Sequence, residues 1–164
     1  MNRKRWLVSA LQRHERPLVR YAHRLVGDLE TARDVVQDTF LKLCEQDPGQ
    51  LDGRLPEWLF TVCRNRAIDH LRKEGRMDSL GEREPATETP DVAEQKEQTS
   101  DILARVRDLP ARQQEVLRLK FQEGLSYKQI SAVTEESVSN VGFLLHTAIK
   151  TLRRQLAASG RNAS

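Results

Sequence analysis

The chain has 164 residues, 31% of them charged and 5% aromatic, with a net charge of +3. This is enough for one domain or two small ones, and no apolar run is long enough for a membrane span or a signal-peptide core. Cys44 and Cys63 form no CxxC and the four histidines are scattered, which argues against a disulfide framework, a metal centre or a cofactor motif and for reduced thiols in a cytoplasmic protein.

Helical periodicity is the only pattern that recurs, so the expected class is all-α. Leu7, Val8 and Leu11 suggest a short first helix. Pro17 then interrupts it and fits the first turn of a second helix carrying Leu18, Ala22, Leu25 and Val26. Gly27 is a stop signal and Asp28 an N-cap for the next helix. There Leu29, Ala32, Val36, Thr39, Phe40 and Leu43 fall in one sector and are the expected core face. The opposite side carries Glu30, Asp34, Gln37, Asp38 and Glu45, with Leu41 among them. Taken alone, this is either a solvated face with one stray leucine or a docking face for a basic partner.

Gln46 to Arg54 reads as a loop from its proline and two glycines. Pro56 can open the following helix and Gly75 can close it. Its first half is apolar nearly all round, with Trp58, Leu59, Phe60, Val62 and Cys63. Its second half is basic, with Arg64, Arg66, Arg72, Lys73 and Arg76, and Asn65, Asp69, Arg72 and Lys73 share one side. Single-stranded DNA binding uses such a combination, because aromatics stack bases while Arg and Lys hold phosphates. The alternative is that Trp58 and Phe60 are core and the basic end is merely solvated.

Residues 1–76 carry a charge of +4, residues 77–100 a charge of −5 and residues 101–164 a charge of +4. The acidic middle has almost no apolar content, so it reads as a flexible linker between two small helical bundles, residues 1–76 and residues 101–157, with a disordered tail over residues 158–164. In the second bundle Asp101 can cap a short helix with Ile102, Leu103 and Val106. Pro110 can start another that buries Val116, Leu117 and Phe121 and stops at Gly124. Ser126 then caps a helix with Ile130 and Val133. After the break Thr134-Glu135-Glu136 a longer helix starts near Ser137, with Val138, Val141, Leu145, Ala148, Leu152 and Leu156 on one face. Two helices joined by so short a turn, the second basic at its far end, suggest a helix-turn-helix; an ordinary helical hairpin is the alternative. Ser139, Asn140, Phe143, Thr147, Lys150 and Arg154 lie opposite the apolar stripe, with His146 and Arg153 at its edge. A phenylalanine within a polar face has no solvation rationale and marks a contact surface.

Four stretches now stand in order: PLVRYAHRLVGD, DLETARDVVQDTFLKLC, LPEWLFTVCRNRAIDHLRKEGR and LPARQQEVLRLKFQEGLSYKQIS running on to LLHTAIKTLRRQL. Together they resemble a bacterial RNA polymerase sigma factor of the sigma-70 family, extracytoplasmic-function group. The resemblance covers about residues 10–76 and 101–156. It implies two bundles, the family's regions two and four, in a promoter-specificity subunit with no catalytic residues. It implies docking of Asp34, Val35, Gln37, Asp38 and Leu41 on the beta-prime clamp helices of core RNA polymerase, which reverses the solvated reading of that face. Region four would in addition meet the beta flap. It implies melting and holding of the minus-ten element by Trp58, Arg64, Asn65, Arg66, Asp69, Arg72, Lys73 and Arg76, with an extruded base captured near the Gln46–Leu55 loop. It implies reading of the minus-thirty-five element by Ser126, Ser137, Ser139, Asn140, Phe143, His146, Thr147, Lys150 and Arg154. An anti-sigma factor is a common partner in this group, although no residue here identifies one.

There are departures from the family pattern. The turn carries Thr134-Glu135-Glu136-Ser137 where the family usually has a glycine, and a non-glycine residue in a left-handed turn costs about 1 kcal/mol. Gly142, Leu144, Thr147 and Ile149 occupy commonly basic or polar positions. Fewer phosphate contacts predict a flatter salt dependence. Two other functions compete. A stand-alone helix-turn-helix regulator would explain residues 110–156 but leaves the Pro56–Arg76 helix without a role. A metal-dependent nuclease using Asp34 and Asp38 would lack a third ligand.

Overall fold

The computed structural model describes residues 2–75 and 97–162, with side chains described from 102 to 159 in the second stretch. All of their regular structure is helical. In order the elements are α1 (Arg3–Val26), α2 (Leu29–Leu43), a single 3₁₀ turn (Pro48–Leu51), α3 (Leu55–Lys73), α4 (Glu97–Arg107), α5 (Ala111–Phe121), α6 (Tyr127–Thr134) and α7 (Val138–Asn162). They form two compact units, the first carried by α1–α3 and the second by α4, α5, α7 and most of α6.

In the first unit each helix packs on the other two. α1 is one continuous helix, where the sequence suggested two, and Pro17 lies inside it. An interior proline costs about 3 kcal/mol or more. Leu18, Ala22, Leu25 and Val26, all buried just beyond Pro17, offset this, at about 1.5–3 kcal/mol for each fully buried large side chain. Gly27 ends α1 in the left-handed region (φ 82°), its N–H donating to the His23 carbonyl at 2.8 Å. The Asp28 carboxylate then accepts from the Thr31 N–H (2.9 Å) and hydroxyl (2.7 Å), capping α2 as expected.

α2 buries Ala32, Val35, Val36, Thr39 and Leu43, a wider arc than the sequence sector, because it packs on both α1 and α3. Leu29 and Phe40 are only half-buried. Asp47 caps the 3₁₀ turn by accepting from the Gly49 N–H at 3.1 Å, and buried Leu51 anchors it. α3 turns Leu59, Phe60, Cys63, Ala67 and Leu71 inward. Phe60 meets Tyr21 edge-on, ring centroids 5.3 Å apart. Burial pushes the Cys63 thiol up to about 12 against the opposing hydrogen bond from Thr39, so it stays protonated.

In the second unit α4 starts at Glu97, so Asp101 lies inside this helix and does not cap it. The expected linker falls outside the described residues up to 96, and its last four residues are helical. The Gln114 side-chain amide donates to the carbonyls of Arg107 and Leu109 at 2.9 Å each, tying the α4–α5 corner in which Pro110 precedes the first turn of α5. Val116, Leu117 and Leu119 are buried. Phe121, expected in the core, is 65% exposed, because it lies two residues, about 200° round the helix, from Leu119, which is fully buried in the same turn. Ile130 and Val133 from α6 are buried, as are Val141, Leu145 and Ala148 from α7, which packs against α4 and α5. The ends of the expected α7 stripe, Val138 and Leu156, are exposed. α7 continues to Asn162, so residues 158–162 of the expected tail are helical, and Arg105 donates to the Ser159 hydroxyl.

Candidate nucleic-acid interface

On α2, Asp34, Gln37 and Leu41 are exposed, Leu41 at 59%. Val35 is buried and belongs to the core, which corrects its place among the expected docking residues; it lies one residue, about 100°, from the nearest open position. Asp38 is half-buried at the edge of this face, where its carboxylate meets the Arg66 guanidinium at 3.5 Å. So partly exposed a pair contributes at most about 1 kcal/mol.

On α3, Asn65, Asp69, Arg72 and Lys73 are exposed along one face, and Trp58 is half-buried at its upper end. Phe60 points into the core and is not available for stacking. Arg64 sits about 100° round from Asn65 and is half-buried, so it leaves the shared face. Arg72 approaches Asp69 at 4.0 Å, and His70 meets Glu74 at 2.9 Å. Arg76 lies outside the described residues.

The α6–α7 turn is held by short bonds. Ser126 and Gln129 form a reciprocal capping box at 3.1 and 2.8 Å. Glu135 ends α6 with φ 64°, the left-handed non-glycine position that the sequence flagged, and its N–H donates to the Ser131 carbonyl at 2.9 Å. The Ser131 hydroxyl donates to the Glu136 carbonyl at 2.6 Å, and the Asn140 N–H donates to the Ser137 hydroxyl at 3.0 Å, which starts α7. Ser126 and Ser137, both expected at DNA, therefore also act as caps.

The outer face of α7 carries exposed Ser139, Phe143, His146, Lys150 and Arg154, with half-buried Asn140 and Thr147 between them. Phe143 is 64% exposed, and the Thr147 hydroxyl folds back onto its carbonyl at 2.8 Å. Gly142 lies beside the Tyr127 ring, which would stand in ordinary contact, 3.6 Å, from an added Cβ, and Lys120 lies 5.5 Å over that ring. Sequence reasoning missed a network behind this face. The Glu136 carboxylate accepts from the Asn140 amide at 2.5 Å and from the Arg112 guanidinium at 3.3 Å. The unusual glutamates in the turn were visible in the sequence, but Arg112, on a different helix, had no local signal.

Among the described residues no cluster could hold a metal ion, and no helix is long and apolar enough to cross a membrane. Two helical units, one with a capped helix-turn-helix that leaves an aromatic and basic face open, define a DNA-binding class of protein. Comparison with known proteins gives the family. Sigma-70 region 2 matches residues 10–77 and Sigma-70, region 4 matches residues 99–152. The ECF RNA polymerase sigma factor SigL of Mycobacterium tuberculosis is 32% identical over 90% of this chain and 86% of its own length. The RNA polymerase sigma factor SigV of Bacillus subtilis is 26% identical over 93% and 92%. The sigma factor RpoE of Bartonella quintana, solved in complex with the anti-sigma factor NepR, is 26% identical with a TM-score of 0.67, over 94% of this chain and 96% of that one. The chain belongs to the extracytoplasmic-function group of the sigma-70 family. It is a transcription initiation factor and not an enzyme.

Proposed function

We propose that this chain docks on core RNA polymerase through the open face of α2 and delivers it to a two-part promoter. Asp34, Gln37, Asp38 and Leu41 are the docking contacts, on the beta-prime clamp helices. Asn65, Arg66, Asp69, Arg72 and Lys73, with Trp58 above them, hold the opened non-template strand of the minus-ten element. The outer face of α7 enters the major groove at the minus-thirty-five element, where its first turn meets base edges and Lys150 and Arg154 meet phosphates. The observation that carries this reading is Phe143, a large apolar side chain left 64% exposed on the side of a capped helix away from its buried Val141, Leu145 and Ala148. A thymine methyl is a fitting partner for it. The likeness to RpoE, solved with NepR, supports an anti-sigma factor as a further partner.

The test is run-off transcription from genomic promoter fragments with core RNA polymerase and the purified chain. Defined transcripts that need both components are expected. Duplex binding with no association to core would favour a stand-alone regulator instead.

A further inference from the structure

The bonds around Glu136 fix more than the turn. Asn140 is the third residue of α7, in the turn that meets base edges when such a helix enters the groove. Its side-chain amide nitrogen lies 2.5 Å from one carboxylate oxygen of Glu136, whose other oxygen takes the Arg112 guanidinium at 3.3 Å. A carboxylate only accepts hydrogen bonds, so the nitrogen is the end that must face it, and the Asn140 carbonyl oxygen is turned the other way. Glu136 is itself held on both sides, since its backbone carbonyl accepts from the Ser131 hydroxyl at 2.6 Å. Unconstrained, the planar amide could present either end to a base; here one orientation is selected before any DNA arrives.

We propose that Glu136 is a specificity-positioning residue, which orients the Asn140 amide to pair bidentately with one adenine of the upstream promoter element. The inference rests on α7 being the upstream reader. With one N–H given to Glu136, Asn140 keeps its carbonyl oxygen and its second N–H. This acceptor and donor match the N6 amine and N7 of adenine and no other base edge in the major groove. The carboxylate also works against DNA in general, because it brings a negative charge beside the phosphates. Glu136 thus exchanges some non-specific affinity for selectivity.

The experiment is binding and sequencing of a duplex library with a randomised upstream element, using core RNA polymerase with the full chain or its variants. Thermal unfolding of each variant checks its fold. The wild type should prefer adenine at one position by about 5- to 150-fold, the range of a good bidentate pair. Asn140→Ala should abolish that preference alone. Glu136→Ala should lower it several-fold at the same position while raising affinity for all sequences. Glu136→Gln, whose side-chain oxygen can still accept from Asn140, should raise affinity equally and restore the preference. Equal preferences in Glu136→Ala and the wild type, or an Asn140→Ala variant with an unchanged profile, would overturn the proposal. A library in which Phe143→Ala alters selection but Asn140→Ala does not would overturn it while leaving α7 as the reader. A wild type that selects no upstream sequence would remove the functional reading itself.

Discussion

α3 and α7 are the two helices proposed for promoter DNA, and they place their phenylalanines in opposite ways. α3 turns Phe60 into the core, 2% exposed and edge-on to Tyr21, and offers exposed Asn65, Arg72 and Lys73 instead. α7 keeps Phe143 outside at 64% exposure and, among its described side chains, buries only Val141, Leu145 and Ala148. A bundle of three helices that each pack on two neighbours can take up a large ring, whereas a recognition helix must leave one whole side free to enter a groove. The same contrast runs through two turns with one backbone plan. α1 ends at left-handed Gly27, and α6 ends at left-handed Glu135. The first turn takes the residue that suits its backbone. The second accepts strain next to the bonds that join Arg112, Glu136 and Asn140.

Substitutions can break this contrast. Phe60→Ala should destabilise the first unit by about 3–5 kcal/mol, as for a fully buried aromatic ring. Trp6 and Trp58 both lie in that unit, so urea unfolding followed by tryptophan fluorescence isolates the effect. A loss below about 1 kcal/mol would mean that the ring is not core. Next come the turns. Gly27→Ala should cost about 1–2 kcal/mol, and Glu135→Gly should stabilise the second unit by up to about 1 kcal/mol. Native-state hydrogen exchange can assign each change to its unit. If both substitutions destabilise, the Glu135 conformation is not strained.

A smaller effect should follow pH. His23 is buried, and its pKa is held below the ordinary 6.5 by burial first and Arg24 second, against Asp28. The unfolded chain binds that proton more readily, so the unfolded state gains on acidification. Stability is full above the ordinary value and falls as pH drops through it. Melting temperature should therefore decline between about pH 7.5 and about pH 5.5, and His23→Gln should flatten the slope. An unaltered slope would assign it elsewhere, with half-buried His14, also shifted down, next in line. Smallest of all, Phe143→Ala should change stability by no more than about 0.5 kcal/mol while removing upstream promoter selection. A large stability loss would put Phe143 in the core.

Helix ends and faces were the most legible part of the sequence. Gly27, Asp28 and Ser126 act locally, and each caps its helix where the sequence put it, whereas α5 stops at Phe121, ahead of Gly124. Periodicity gives the direction of a buried face but not its width. Val35 joins the docking set through the family resemblance alone, and the structure buries it because α2 packs on both α1 and α3. Spacing puts Phe121, Val138 and Leu156 inward, whereas the structure leaves all three exposed. Pro17 reads as a break because its effect on an isolated helix is a break; packing on both sides of it overrides that preference. Arg64 fell with the other basic residues by composition, although its position on the helix separates it from them. The tie from Arg112 to Glu136, which in turn holds Asn140, crosses 24 residues of chain and could be found only in three dimensions.

Permanganate reactivity on a promoter, read together with an upstream footprint, tests the proposed division of labour between the two units most directly. With core RNA polymerase the wild-type chain should protect the upstream element and expose reactive thymines in the downstream one. Arg72→Glu with Lys73→Glu should keep the upstream footprint and lose the reactive thymines. Loss of the upstream footprint in that double variant, or opened DNA that persists in it, would contradict the account.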